Sequence, residues 1–431
     1  MMLPKLPVED CQLELNHPTP FSVTIDSELL KVTEQKLLYC RFPEEQTDFT
    51  DDDWSQGAKV ARIRELAEYW RNEYNWKDQE AGSPRPDSER INKTFNNFLV
   101  KIQVPDYGLV TLHYSHTKSP SPDAIPLLFV HGWPGSFLEA SKIVEKLTTT
   151  DPENDKCPSF HVIVPSIPGF GFSPAPLRSG VGPAVVARAF KVLMTDVLNY
   201  PWFVTQGGDL GAFITRWMAI QHPSVVRAQH FNTFPAPTPT FGAAPFAYLR
   251  LRMSGVLYSK YEKRLLKTRS VFHRDQSAYI DMQETRPQTL GFALGDSPIG
   301  LLAWFVEKLQ SWVDVPEALS NDDIINLVMM HWIQGATPGL RFFREAFGDK
   351  READKAFDGH LKVLTGVSIF PGEILPCPKD WAKQLANIIF WRQHEHGGHF
   401  PALECPDDLV NDIRKFLSSK ETRKVLANKG K

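Results

Sequence analysis

Trp202-Phe203-Val204-Thr205-Gln206 runs directly into Gly207-Gly208-Asp209-Leu210-Gly211, and an apolar stretch of helical length follows. The first five residues are short in run, aromatic and β-branched, and bounded by glycine, which reads as a buried strand. The next five set small residues around a single acid. That order between a strand and a helix is the pattern of a nucleophile elbow, a turn so sharp that glycine is needed where the two backbones approach. The helix start beneath such a turn favours a negative group. A plainer reading is open at this point, because an aspartate in a glycine-rich turn can also serve only to cap the helix.

Further short apolar runs occur at 125–130, 161–166 and 225–234, and two more at 361–370 and 388–393. Stretches of helical length separate them, as in a parallel sheet with helices on its faces. Ahead of them, 98–104 and 109–114 flank Pro105-Asp106-Tyr107-Gly108 and predict a hairpin. The fold class expected is therefore α/β, with ligands at the carboxyl ends of the strands. Prolines cluster at 83–87, an expected exposed loop, and in Phe234-Pro235-Ala236-Pro237-Thr238-Pro239, where the preceding strand should stop. From there to 361 the pattern turns helical. Asp296-Ser297-Pro298 predicts a helix start, and Leu301, Leu302, Phe305, Leu309 and Trp312 repeat on one face. This stretch is expected to cap the sheet edge. Residues 1 to about 100 read as a separate helix-rich piece in which Trp70, Tyr74 and Trp76 act as packing anchors.

The chain has 431 residues, 42% of them hydrophobic, and a net charge of −3. It can bury a large core, and its overall charge gives no footprint for nucleic acid or an anionic membrane. Cys11, Cys40, Cys157, Cys377 and Cys405 are scattered without CxxC spacing and read as thiols of a reducing compartment. Neither a signal-peptide run nor a membrane span is evident. The expectation is a soluble, cytoplasmic protein.

Two further motifs bear on Asp209. His131-Gly132-Trp133-Pro134-Gly135 follows the 125–130 strand, where α/β-hydrolases place the loop that supplies one oxyanion-hole amide. Trp133 and Leu210 are the candidate donors. His394-Glu395-His396-Gly397-Gly398-His399 follows the last strand, where a triad histidine belongs. His399 is the candidate base, with His394 and His396 expected in the wall of the site. The spacing does not match HExxH, so no metal is assigned. Glu373 lies just past the penultimate strand and 26 residues before His399, giving the order nucleophile, acid, base; Asp380 is the second candidate acid.

An aspartate nucleophile points away from ester substrates, on which it would form a mixed anhydride. On an electrophilic sp³ carbon it forms an ordinary alkyl ester that water can hydrolyse. Epoxides and haloalkanes fit. A halide calls for N–H donors, commonly a tryptophan beside the nucleophile, where this chain has Leu210. An epoxide calls for a phenol near the departing alkoxide.

At these residues the chain resembles the microsomal-type epoxide hydrolases of the α/β-hydrolase superfamily, in the manner of their soluble fungal-type members. The likeness covers nearly its whole length. It rests on Glu68-Tyr69-Trp70-Arg71 through Trp76, on 95–116, and on the motifs around His131, Asp209 and Gly397-Gly398-His399-Phe400. The resemblance implies an N-terminal domain over 1–95, a hydrolase core in two halves at 96–236 and 348–431, and a helical cap at 237–347. It implies Asp209 as nucleophile, His399 as base, Glu373 as acid, and cap tyrosines beside the epoxide oxygen. Tyr279 matches the first of these. Phe343 stands where the second is expected, and Tyr248, Tyr258 and Tyr261 are the other cap phenols. Phe343, Phe234 and Phe170 are expected to line an apolar pocket. No cofactor is implied. The partner expected is an apolar small-molecule epoxide, with a homodimer as the protein association considered. Because Phe343 cannot donate a hydrogen bond, a biosynthetic member with altered chemistry is a competing reading. An inert binding protein on the same scaffold is another.

Overall fold

The computed structural model describes residues 12–48, 50, 53–81, 91–150 and 157–427. Cys11, the expected terminal segment before it and the proline loop at 83–87 lie outside the described residues. Nine strands form one sheet: β1 (Thr19–Pro20), β2 (Asn97–Val104), β3 (Gly108–Thr117), β4 (Ile125–Val130), β5 (Phe160–Pro165), β6 (Phe203–Gly207), β7 (Val226–Phe231), β8 (Leu361–Ile369) and β9 (Ala386–Gln393). Their order is β1-β2-β3-β5-β4-β6-β7-β8-β9. The first three joints are antiparallel and all from β5 onward are parallel. Asp106 and Gly108 take positive φ, 62° and 127°, which lets the chain reverse so that Val104 pairs with Gly108.

Strand β7 ends three residues before the apolar run 225–234 does. The run continues through Asn232-Thr233-Phe234, but these residues leave the ladder: Asn232 Oδ1 accepts from Gln206 Nε2 at 2.6 Å, and Thr233 serves Glu373 as described below. Strand β9 begins at Ala386, two residues before the predicted start. Apolar content marks burial, and burial here does not stop where the ladder does.

The described residues among 12–81 and 91–95 are helix-rich and tied to the rest at several points. β1 adds the outermost rung to the sheet. Tyr69 and Tyr74 donate to Asp322 at 2.8 Å and Asn326 at 2.7 Å, and Trp332 Nε1 donates to Thr33 Oγ1 at 2.8 Å. Trp70 and Trp76 are buried. The side chain of Ser297 caps helix Pro298–Trp312 by accepting from the Gly300 N–H at 2.9 Å, and Pro298 sits in its first turn. Leu301, Leu302, Phe305, Leu309 and Trp312 are all buried, which brings the end of this helix down onto the carboxyl edge of the sheet. No single described helix is long and apolar enough to cross a membrane.

Candidate active site

Asp209 sits between β6 and helix Asp209–Gln221 with φ 46°, a left-handed conformation costly for any residue with a Cβ. The turn is held by close backbone packing. A Cβ on Gly211 would lie 2.0 Å from the carbonyl oxygen of Val130, and one on Gly132 would lie 2.4 Å from Asp209 Cβ. Asp209 makes no cap hydrogen bond to its own helix. Instead its Oδ1 accepts from the backbone N–H of Trp133 at 2.8 Å. The first helical bond runs from the Ala212 N–H to the Gly208 carbonyl, which leaves the Leu210 N–H without a helical acceptor at the same turn.

His399 Nε2 lies 3.5 Å from Asp209 Oδ2. Nε2 is buried and makes no hydrogen bond among the described residues. The side chain of Asp209 keeps 20% exposure whereas those of His399 and Glu373 keep 1%, so the aspartate is the member of the group that faces open space. On the other side of the ring, Nδ1 lies 3.0 and 3.1 Å from the two Glu373 oxygens. Glu373 accepts from Thr233 Oγ1 at 2.5 Å and from the Leu375 N–H at 3.0 Å. Burial pulls the His399 imidazole toward the neutral form. The charge of Glu373 and its hydrogen bonds to the ring, together with the nearby Asp209 carboxylate, outweigh it and hold the pKa well above the usual histidine value.

The histidine loop is fastened to the cap. The His399 N–H donates to the Trp312 carbonyl at 2.8 Å, and the Trp312 ring packs edge-on to the imidazole at 5.2 Å. Asp314 accepts from the Gly397 N–H at 2.9 Å. Glu404 in turn accepts from the N–H groups of Asp314 and Phe400, both at 2.8 Å.

Tyr279 is buried with its ring stacked on Trp133 at 5.2 Å. Burial, then the charges of Asp209, Glu307 and Glu373, hold its phenol well above 10, so it stays protonated. The ammonium of buried Lys308 lies 5.1 Å from the centre of the same ring. Phe343 meets Trp133 edge-on at 5.3 Å and Tyr279 at 5.9 Å. Phe170 and Phe234 are also buried. Phe170 packs edge-on to His331 at 5.3 Å and to Phe342 at 5.9 Å, while Phe234 packs on Phe231 at 5.4 Å. Of these three, Phe343 is the one in ring contact with both Trp133 and Tyr279.

Three other expectations are corrected. His394 and His396 do not line the site. His394 stacks on Phe370 at 4.4 Å and bonds Asp412 at 2.7 Å, and exposed His396 pairs with Asp408 at 2.8 Å. Asp380 is engaged by Arg250 at 3.0 Å and by Tyr258 at 3.3 Å, so Glu373 is the carboxylate that meets His399. Tyr258 is committed to Asp380 and Trp381, and Tyr248 stands against Phe241 on the outer cap. Thr233 and Glu139 carry no sequence signature of a site role, and Trp312 reads in the sequence only as part of the apolar face of its helix. Glu139 is half-buried beneath the Trp133 loop, where it accepts from the Gly132 N–H at 3.3 Å. Its nearness to the elbow arises from a single turn of 3₁₀ helix (Phe137–Ala140) that no residue pattern announces.

Two family models match the chain, one for the epoxide hydrolase N terminus over residues 18–140 and one for the alpha/beta hydrolase fold over 125–268. Epoxide hydrolase 1 of Sus scrofa is 34% identical over 422 residues, covering 92% of this chain and 88% of that one. Among solved structures, the epoxide hydrolase of Aspergillus niger superposes with a TM-score of 0.77 at 28% identity, covering 96% of this chain and 98% of that one. The juvenile hormone epoxide hydrolase of the silkworm Bombyx mori superposes with a TM-score of 0.83 at 25% identity, covering 95% of each. An aspartate elbow, its facing amide and histidine, and likeness over nine-tenths of the length lead to one statement: the chain has the α/β-hydrolase fold and belongs to the epoxide hydrolase family.

Proposed function

We propose that this protein hydrolyses an epoxide to a vicinal diol through an alkyl ester on Asp209. The observation that carries the reading is the division of labour between the two oxygens of that carboxylate. Oδ1 is held by the Trp133 amide, and Oδ2 faces His399, on a side chain that keeps 20% exposure.

In the first half-reaction Oδ2 attacks an oxirane carbon, and the carbon–oxygen bond of the ring breaks. The departing oxygen takes the phenol proton of Tyr279. The resting imidazolium of His399 returns a proton to the phenolate, a transfer eased because esterification has removed one of the two carboxylate charges beside the ring. His399 is then neutral at the step that needs a base. It takes a proton from water as the hydroxide adds to the ester carbon, with Glu373 orienting the ring. The oxyanion forms on Oδ1, where the Trp133 and Leu210 amides stabilise it. Collapse breaks the ester bond, and the diol oxygen takes the proton of the re-formed carboxyl. Carboxylate, imidazolium and phenol are all restored. Apolar character in the substrate is supported by the mutually packed rings of Trp133, Tyr279 and Phe343, the first of which belongs to the residue whose amide holds the carboxylate.

Single-turnover incubation with a panel of aryl and alkyl epoxides, followed by intact-mass measurement, tests the reading. The expected result is a transient gain equal to the epoxide mass that Asp209→Asn abolishes. Diol formation by Asp209→Asn at the wild-type rate would refute the covalent route.

A further inference from the structure

Residues 241–257 hold six of the fourteen large apolar side chains that stand exposed among the described residues: Phe241, Phe246, Leu249, Met253, Val256 and Leu257. They lie on the helical run Pro245–Arg252 and Ser254–Leu257. Positions 246, 249, 253 and 256–257 follow one another by three or four residues, so they form a single stripe. Ordinarily such a stripe faces the core. Here it faces outward: Phe246 and Val256 are each 83% exposed, while the residue turned inward is Ala247, at 1%. The run is anchored from beneath. Arg250 pairs with Glu262 and Asp380, both at 3.0 Å, and Tyr258 bonds Trp381 and Asp380. The outward presentation is thus built into the packing of the cap.

The charge around the stripe is equally one-sided. Arg252, Lys260, Lys263, Arg264 and Lys267 are exposed on this run and on the helix Lys260–Val271 that follows, and none forms an ion pair among the described residues. The nearby acid Glu262 is neutralised by Arg250. A chain with an overall charge of −3 therefore carries a local apolar stripe flanked by cations.

We propose that this face of the cap is a peripheral docking surface for a bilayer containing anionic lipid. Apolar side chains of this size enter the boundary between headgroups and acyl chains, and lysine and arginine beside them meet the negative headgroups. The cations also decide against a second copy of the chain. A two-fold contact through this face would set five exposed cations against five more.

Co-sedimentation of the full chain with vesicles tests the proposal and is independent of the reaction assigned above. The protein is expected to bind vesicles of phosphatidylcholine mixed with phosphatidylserine, to bind pure phosphatidylcholine weakly or not at all, and to be released by salt. Phe246→Glu with Val256→Glu should lower the partition at least about tenfold, by putting charge where apolar surface must enter. Lys260→Ala with Lys267→Ala should lower it about fivefold for each charge removed. The altered side chains point to solvent, so circular dichroism should match the wild type in both variants; were the first to unfold, the second would decide. Equal binding to the two kinds of vesicle, or no binding, overturns the proposal. So does a solution dimer that Phe246→Glu splits while vesicle binding is absent.

Discussion

His399 Nε2 stands 3.5 Å from Asp209 Oδ2, without a hydrogen bond of its own, while Nδ1 of the same ring is fixed by Glu373. One side of the imidazole is immobilised and the other is aimed at the carboxylate that the Trp133 amide orients. The two half-reactions should therefore separate on mutation. His399→Gln leaves Oδ2 able to attack but removes the base, so the ester should accumulate and persist. Steady-state turnover should fall roughly 10²–10⁴-fold, the usual worth of a positioned base. Intact mass after minutes of incubation checks this. An adduct that clears as fast as in the wild type would mean that another group activates the water.

Tyr279 and Phe343 face the same tryptophan from two sides. On the proposed route, with phenylalanine at 343, donation to the epoxide oxygen is assigned to Tyr279. Tyr279→Phe is expected to lower kcat/KM by roughly 10²–10³, in line with loss of one preorganised donor. Phe343→Tyr restores a phenol at a position in ring contact with Tyr279, and should raise kcat by up to about 10² on simple epoxides. A fall in rate for Phe343→Tyr, with Tyr279→Phe still severe, would show that the phenylalanine shapes the substrate pocket instead.

Much of this arrangement could be read before the structure, because each piece carried a local signature. The elbow at Gly207–Gly211 announced itself by small residues around an acid, and the strands by short apolar runs. Ser297-Pro298 declared its helix through cap chemistry. What escaped reading depends on contacts between distant segments. Thr233 supports Glu373 across 140 residues of sequence. Trp312, at the foot of a cap helix, holds the histidine loop through a backbone carbonyl, which has no residue signature at all. His394 looked like part of a histidine cluster, but strand β9 ends at Gln393 and the chain turns so that His394 faces Asp412 behind the sheet. The net charge of −3 likewise hid the basic cap face, since a sum over the chain says nothing of where the charges sit.

The elbow makes a sharp prediction about glycine. At Gly211 a Cβ would be 2.0 Å from the Val130 carbonyl oxygen and 2.8 Å from that of His131, and both are backbone atoms that cannot rotate away. Gly211→Ala should cost about 3 kcal/mol or more and push Asp209 away from Trp133. Gly295 lies in helix Pro287–Asp296 with nothing within 4 Å of its Cβ position. Gly295→Ala should stabilise by about 0.5–1 kcal/mol through helix propensity and lost chain entropy. Urea denaturation of both variants beside the wild type gives the two signs. Equal midpoints would show that the turn relaxes more freely than its close contacts allow.

Glu139 offers a test by pH. Burial beneath the Trp133 loop raises its carboxyl to about 8, against the lowering effect of the Gly132 N–H and with the charge of Asp209 adding to the rise. In the unfolded chain the same group titrates near 4.5. Between these values the folded protein keeps a proton that the unfolded chain has released. The stability from this group is therefore full below about 4.5, declines as pH rises and is gone above about 8. Glu139→Gln cannot ionise and keeps the neutral shape. Its melting temperature should track that of the wild type near pH 4.5, then exceed it by a growing margin, reaching a few degrees by about pH 9. Profiles that stay parallel across this range would mean that Glu139 is ionised in the folded protein at neutral pH, and two carboxylates would then share the floor of the site with one imidazolium between them.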